Sequence, residues 1–404
     1  MDESSKNKSP FYPGQPVPAE LFTGRQEVIE RILTRGAGQV VQGKPMSFFI
    51  QGEYGIGKSS LASYLQNIVE KEYSLHSIYV SLSGVHDLQG VSEAILQATV
   101  RSGALDPRIS EKINSWLSKY IGKQQLFGLT LNLEALKKDN PSVTSYLGIL
   151  DFLRETLLKM RDLGTKGLFL VFDEINGIAS QPEFASFLKG LVDQNALSKK
   201  PLPILLMLCS TEDRRVELIK SSEPLGRIFD VITIKPMTEK EMEDFFNKAF
   251  NSVHMTVEKD ALSILTYYSA GFPKIMHLVG DMAYWIDKDQ IVDMKDTHDA
   301  VIAAAEDFGK KYVNAQIYDA LKSEDYRSIL AKIGKEGPDS MSFKKSDIGN
   351  LLTEQEKKKF HNFLQKMKRL NVLHSGNERG EYIFNLRMVR LYIWLQTTIE
   401  SKGR

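Results

Sequence analysis

Gly52-Glu53-Tyr54-Gly55-Ile56-Gly57-Lys58-Ser59 has the spacing G-x-x-x-x-G-K-S. Before it, Met46-Ser47-Phe48-Phe49-Ile50 is an apolar run that predicts a buried strand. After it, Ser60 to Val69 carries apolar residues at helical spacing. Strand, glycine loop and helix in that order are the context this motif requires, because the loop N–H groups and the positive helix N-terminus together wrap a polyphosphate. Lys58 is then placed to reach β- and γ-phosphates, and the Ser59 hydroxyl to ligate Mg²⁺. A glycine turn that merely shares the spacing is the alternative, and the flanking elements count against it.

Outward from this loop, Ser77-Ile78-Tyr79-Val80-Ser81-Leu82 predicts a second strand and Gly167-Leu168-Phe169-Leu170-Val171-Phe172 a third, with a mainly helical stretch over 88–160 between them. Within that stretch Phe127-Gly128-Leu129-Thr130-Leu131-Asn132-Leu133 alternates and is expected as a short extra strand. The third run ends in Asp173-Glu174. A buried parallel strand delivers its C-terminal residues to the sheet edge where ligands bind. There Asp173 would hold Mg²⁺ through water, and Glu174 would orient or deprotonate an attacking water. Pro203 to Cys209 predicts a fourth strand ending in Ser210-Thr211-Glu212-Asp213, whose hydroxyls suit either a γ-phosphate contact or the N-cap of a following helix. Asp230-Val231-Ile232-Thr233-Ile234 predicts a fifth. Such alternation means an α/β fold, a parallel sheet with helices on both faces.

The 404 residues allow two or three domains, and 42% hydrophobic with 25% charged content is that of an ordinary globular protein. No apolar stretch reaches membrane-spanning length and Met1 to Lys6 lacks a signal-peptide core, so a cytoplasmic location and no membrane partner are expected. The single cysteine, Cys209, excludes an internal disulfide and a cysteine zinc cluster and reads as a buried small hydrophobe. The net charge of +1 conceals an asymmetry: residues 322–404 carry 17 Lys and Arg against 10 Asp and Glu, +7, which leaves −6 for the rest. A basic tail favours an anionic partner.

Residues 1–20, with Pro10, Pro13, Pro16 and Pro18, read as an extended, weakly ordered lead-in. Thr23 is expected to cap a short helix that turns Val28, Ile29, Ile32 and Leu33 inward. Together, Phe22-Thr23-Gly24-Arg25, the loop from Gly52 to Ser59, Asp173-Glu174, Ser210-Thr211, Arg227 before the fifth strand and Gly271-Phe272-Pro273-Lys274 resemble an AAA+ ATPase. The likeness is greatest to the branch of replication-initiator (origin-recognition-like) and STAND signalling ATPases, and covers about residues 20–310. It implies a P-loop NTPase core over 21–235 that binds ATP and Mg²⁺. Gly24, Arg25, Gly52, Tyr54, Gly55, Ile56, Gly57, Lys58, Ser59, Ser60, Pro273 and Lys274 would line the nucleotide, with Ser210 or Thr211 as a sensor. Arg227 would be an arginine finger that reaches a neighbouring subunit, which implies a homo-oligomer. Lys274 stands where the family has arginine; lysine keeps the charge and loses the bidentate fork.

Residues 236–315 lack a strand pattern and are expected as an all-helical lid, with helices near 239–251, 258–270, 273–287 and 296–308 and a capping box at Thr238 and Glu241. Residues 322–404 resemble a winged helix: helices at Tyr326–Ile333, Ser346–Leu352 and Thr353–Leu370, a hairpin wing around Gly376 to Gly380, and a closing apolar helix at Met388–Leu395. On the third helix, Lys357, Lys358, Lys359, Lys366, Lys368 and Arg369 suit duplex phosphates, while few side chains suit base edges. The expectation is an ATP-hydrolysing switch that acts on double-stranded DNA with weak sequence preference. The alternative is a signalling or defence ATPase whose winged helix docks a protein partner or autoinhibits. A metabolic kinase is disfavoured, since lid and basic tail have no role in it.

Overall fold

The computed structural model describes residues 6, 8–15, 17–18, 21–103 and 145–402. The expected strand at Phe127–Leu133 lies outside them. The chain divides into two compact units, one of residues 16–235 and one of residues 1–15 with 236–404.

The first unit is a five-stranded parallel sheet in the order β2-β3-β4-β1-β5. Its strands are β1 (Met46–Gln51), β2 (Leu75–Ser81), β3 (Gly167–Asp173), β4 (Ile204–Ser210) and β5 (Asp230–Thr233). All seven residues of β3 and of β4 are buried, which explains why they read as unbroken apolar runs rather than alternating ones. One face of the sheet, with Ile78, Val80, Leu168, Leu170, Phe172, Leu206 and Leu208, shares a core with the helices Leu88–Ser102, Tyr146–Met160 and Pro182–Leu197. The Lys58–Tyr73 helix packs against β2, β3 and β4. Gln51 pairs in register with Ser210 and Asp173 with Cys209, so the polar strand ends line one edge.

The first helix differs from expectation. It runs Gln26–Ile32, and its N-cap is Arg25 in left-handed backbone with no side-chain cap. Thr23 donates instead to the Leu21 carbonyl at 3.3 Å. Ile29 and Ile32 are buried as expected, while Val28 and Leu33 are only half-buried.

In the second unit, helices Glu239–Asn251, Lys259–Ser269, Pro273–Ile286 and Met294–Phe308 follow the sequence reading closely. The Thr238–Glu241 capping box is formed, and an unforeseen one joins Asp293 to Asp296. The expectation of an all-helical region is corrected by two short strands, β6 (Thr256–Val257) and β7 (Ile291–Val292), which pair in parallel. Two residues are too few to show periodicity. The segment read as a weakly ordered lead-in is anchored here. Phe11, 4% exposed, meets Phe250 and Phe245 edge-to-face at 5.0 and 5.9 Å, and Tyr12 N–H donates to His277 Nδ1 at 3.1 Å. Gly280 makes room for it, since a Cβ there would lie 2.3 Å from the Phe11 ring.

The tail runs helix Glu324–Gly334, strand β8 (Ser342–Lys344), helices Lys345–Leu351 and Glu354–Arg369, strands β9 (Leu373–Ser375) and β10 (Glu381–Phe384), and helix Arg387–Lys402. The three strands form an antiparallel sheet in the order β8-β10-β9. Arg387 stacks on Tyr267 with its guanidinium 3.9 Å from the ring centroid and donates to the Tyr267 carbonyl at 2.7 Å, so these helices and the tail belong to one unit. The final helix, expected to be apolar, buries Arg390 completely. Its guanidinium donates to the carbonyls of Ser340, Glu336 and Gly337 at 3.0, 2.5 and 2.9 Å, which satisfies a charge that could not otherwise stand there.

Candidate functional site: the glycine loop and the strand ends

β1 ends at Gln51, and the chain turns at once through Gly52 to Gly57 into the Lys58–Tyr73 helix. Gly55 (φ 79°) and Gly57 (φ 96°) adopt left-handed backbone that side-chain-bearing residues rarely enter, so the turn needs glycine there. Ile56 is buried and pins the loop, while Tyr54 is 69% exposed. Lys58 folds back over the loop, its Nζ donating to the Gly52 and Glu53 carbonyls at 2.8 Å each. Burial pulls Lys58 below its ordinary pKa, and the charges of Asp173, Glu174 and Glu53 pull the other way. Ser59 and Ser60 follow, half-buried in the first helical turn, where the helix field is positive.

Asp173 and Glu174 stand at the end of β3. Asp173 is 4% exposed, its Oδ1 accepts the Glu174 N–H at 2.9 Å, and its Oδ2 accepts the Tyr79 hydroxyl. Glu174 has left-handed backbone (φ 56°), so its side chain leaves the strand direction at a half-exposed position. Ser210 is buried at the end of β4, and its Oγ bonds Asn176 Oδ1 at 3.2 Å. Thr211 is the N-cap residue of the Glu212–Ser221 helix, yet makes no side-chain cap bond. Arg25 is buried, and its guanidinium donates to the Ile56 carbonyl, which brings Gly24 and Arg25 onto the loop.

The remaining candidates belong to other elements. Arg227 lies in the short Leu225–Ile228 helix, its side chain 82% exposed and paired with Glu223 at 3.3 Å. Pro273 occupies the first turn of its helix in the second unit, and Lys274 sets its ammonium 3.4 Å from the centroid of the Tyr312 ring. On the Glu354–Arg369 helix, Lys357 pairs with Glu354 at 2.8 Å and Lys359 with Asp325. Lys366 donates to the Ala320 carbonyl and Lys368 to Ser375 Oγ at 2.9 Å. Lys358 and Arg369 are exposed.

Three residues at the site carried no signal in the sequence. Tyr79 and Asn176 are ordinary strand and turn residues. Arg215 donates to Gln51 Oε1 at 2.5 Å, and Gln51 in turn donates to Thr233 Oγ1 at 2.8 Å. Only the strand order, with β4, β1 and β5 adjacent, reveals this brace.

Among the described residues no group of three or more His, Cys, Asp or Glu side chains could hold a metal ion by itself. The donors at the loop, the Ser59 hydroxyl and the Asp173 carboxylate, are few and hard, which suits Mg²⁺ whose other ligands are phosphate oxygens and waters.

The model of the AAA ATPase domain family matches residues 21–207, the span that holds the loop, Asp173 and Glu174. The likeness is to an AAA ATPase domain. The fold of the whole chain also has solved counterparts. A Walker-type ATPase of Pyrococcus abyssi is similar at TM-score 0.58 and 18% identity, covering 92% of this chain and 96% of that one. The ORC2 protein of Aeropyrum pernix, solved as ADPNP and ADP complexes, is similar at 0.59 and 14%, covering 99% and 97%. At these identities the likeness is one of fold. No curated protein matches the chain in sequence. Among the described residues no helix is long and apolar enough to cross a membrane.

Proposed function

We propose that this chain is an ATP-hydrolysing switch of the origin-recognition-like branch. What carries the reading is the convergence, within one unit, of a lysine-bearing glycine loop at a helix N-terminus with two carboxylates at the end of β3. On binding ATP, Lys58 leaves the Gly52 and Glu53 carbonyls for the β- and γ-phosphates, which offer stronger, charged acceptors. The loop N–H groups and the helix N-terminus hold the phosphate chain. Mg²⁺, when bound, neutralises charge that builds on the transferred phosphoryl. Ser59 and Asp173 would hold that ion. Glu174 takes a proton from the attacking water, and Ser210, fixed by Asn176, faces the same strand edge. Arg25 supports the loop from behind.

Arg227 serves as the finger of a neighbouring copy in a homo-oligomer: its side chain is exposed, and its ion pair with the equally exposed Glu223, just before the helix, is weak. Lys274, laid on Tyr312, is a second sensor only after release from that ring.

The order helix, strand, helix, helix, strand, strand in the tail supports the winged-helix reading, with the Glu354–Arg369 helix in the recognition position. Its exposed Lys357, Lys358 and Arg369 suit phosphate contacts without base readout. The internal acceptors of Lys359, Lys366 and Lys368 favour the second reading, a signalling ATPase whose tail docks a protein.

The test is nucleotide binding and phosphate release by the full chain. Lys58→Ala should lose ATP binding, whereas Glu174→Gln should bind ATP with turnover down by roughly 10²–10⁴-fold. A wild type that binds no nucleotide overturns the reading. Anisotropy with duplex DNA over a salt series separates the two tail readings: affinity that falls with salt and is lost in Lys357/Lys358→Glu supports DNA, and its absence supports a protein partner.

A further inference from the structure

We propose that Tyr79 is a positioning residue for the divalent cation, holding the Asp173 carboxylate in the orientation that receives a nucleotide-borne Mg²⁺ through its hydrogen bond across β2 and β3. The inference rests on the ATP reading of the site.

The register makes the contact. Tyr79 pairs with Val171, and Ser81 pairs with Asp173, so Tyr79, Val171 and Asp173 share one face of the sheet. Tyr79 stands one side-chain step before the carboxylate. A phenol ring spans that step and puts only its hydroxyl on Asp173 Oδ2. A phenylalanine would fill the same apolar volume, so packing does not require the hydroxyl.

The carboxylate needs it. Asp173 is 4% exposed, and a buried carboxylate must be hydrogen-bonded. Oδ1 takes the Glu174 N–H and Oδ2 takes the Tyr79 O–H, so both oxygens are held and the group cannot rotate. An ionised carboxylate offers about four lone-pair sites, and with two used the others remain for waters of the metal shell. Groups that orient metal ligands in this way typically govern 10–100-fold in metal affinity.

The experiment uses the full chain with Mn²⁺ as a paramagnetic stand-in for Mg²⁺, its free concentration read by EPR during titration in the presence of ADP. Nucleotide binding in EDTA is measured alongside. Tyr79→Phe should bind ADP in EDTA as the wild type does, and bind Mn²⁺ at the nucleotide site about tenfold or more weakly. In an Asp173→Asn background the same change should have little further effect. Equal Mn²⁺ affinity in wild type and Tyr79→Phe, or effects of the two substitutions that simply add, would overturn the proposal. A wild type that binds no ADP in either condition refutes the ATP reading itself and is thereby told apart. Should Tyr79→Phe fold poorly, 3-fluorotyrosine placed at position 79 gives a second readout. Its fluorine resonance should shift when Mg²⁺ is added to the ADP-bound protein, and an unmoved resonance overturns the role.

Discussion

Replacing Phe11 by alanine tests whether the N-terminal segment is part of the second unit's core. The ring is 4% exposed, so nearly all of the roughly 200 Å² that an aromatic side chain buries is out of water. At about 25 cal/mol per Å² that is about 5 kcal/mol, and alanine retains a part, so the loss should be about 3–5 kcal/mol. Edge-to-face contacts with Phe245 and Phe250 place the value in the upper half. If the whole segment lets go, the loss is capped at its docking free energy, and the helices beneath stay folded. Two measurements follow. Thermal unfolding of the full chain should show its second-unit transition lowered by roughly 10 °C. Trypsin should cut after Lys6 and Lys8 much faster, because the Tyr12 bond to His277 and the Lys6 ion pair with Asp287 depend on the docked ring. Gly280→Ala should give the same result by pushing a methyl group against the ring rather than removing it. Unchanged melting and unchanged cleavage in both variants would refute the account.

His76 and His277 are each held by burial at a pKa of about 4, below the ordinary 6.5. A histidine kept neutral in the fold binds fewer protons than in the unfolded chain, so its contribution is present above pH 6.5 and is lost as pH falls toward 4. By pH 5 each should cost about 2 kcal/mol, measurable as a fall in denaturant midpoint that His76→Gln flattens for its own unit. Arg390→Met should destabilise the second unit by about 3–5 kcal/mol, because four carbonyls lose a charged donor, and Arg390→Lys should not restore it, since an ammonium lacks the fork; urea unfolding decides. Thr353→Ala removes the capping-box oxygen from the Glu354–Arg369 helix and should cost about 1 kcal/mol by the same assay.

The sequence by itself determined the glycine loop, the five strands of the sheet and the acidic end of β3. These are local patterns: a run of buried apolar residues, a fixed glycine spacing and a cap each involve neighbours in the chain. Lys58, Asp173 and Glu174 were legible because the chemistry demands those residue types next to those elements. Strand order decided the rest. Tyr79 meets Asp173, Asn176 meets Ser210, and Arg215 meets Gln51 only because β2 lies beside β3, β3 beside β4 and β4 beside β1, and pairing between strands far apart in sequence leaves no mark in either strand. The same holds for Phe11, whose polar, proline-rich surroundings read as loose chain until the aromatic pocket that takes it, some 240 residues later, is assembled. It holds for Arg390 too, a charge inside an apolar helix whose partners are backbone carbonyls, and those have no sequence signature at all.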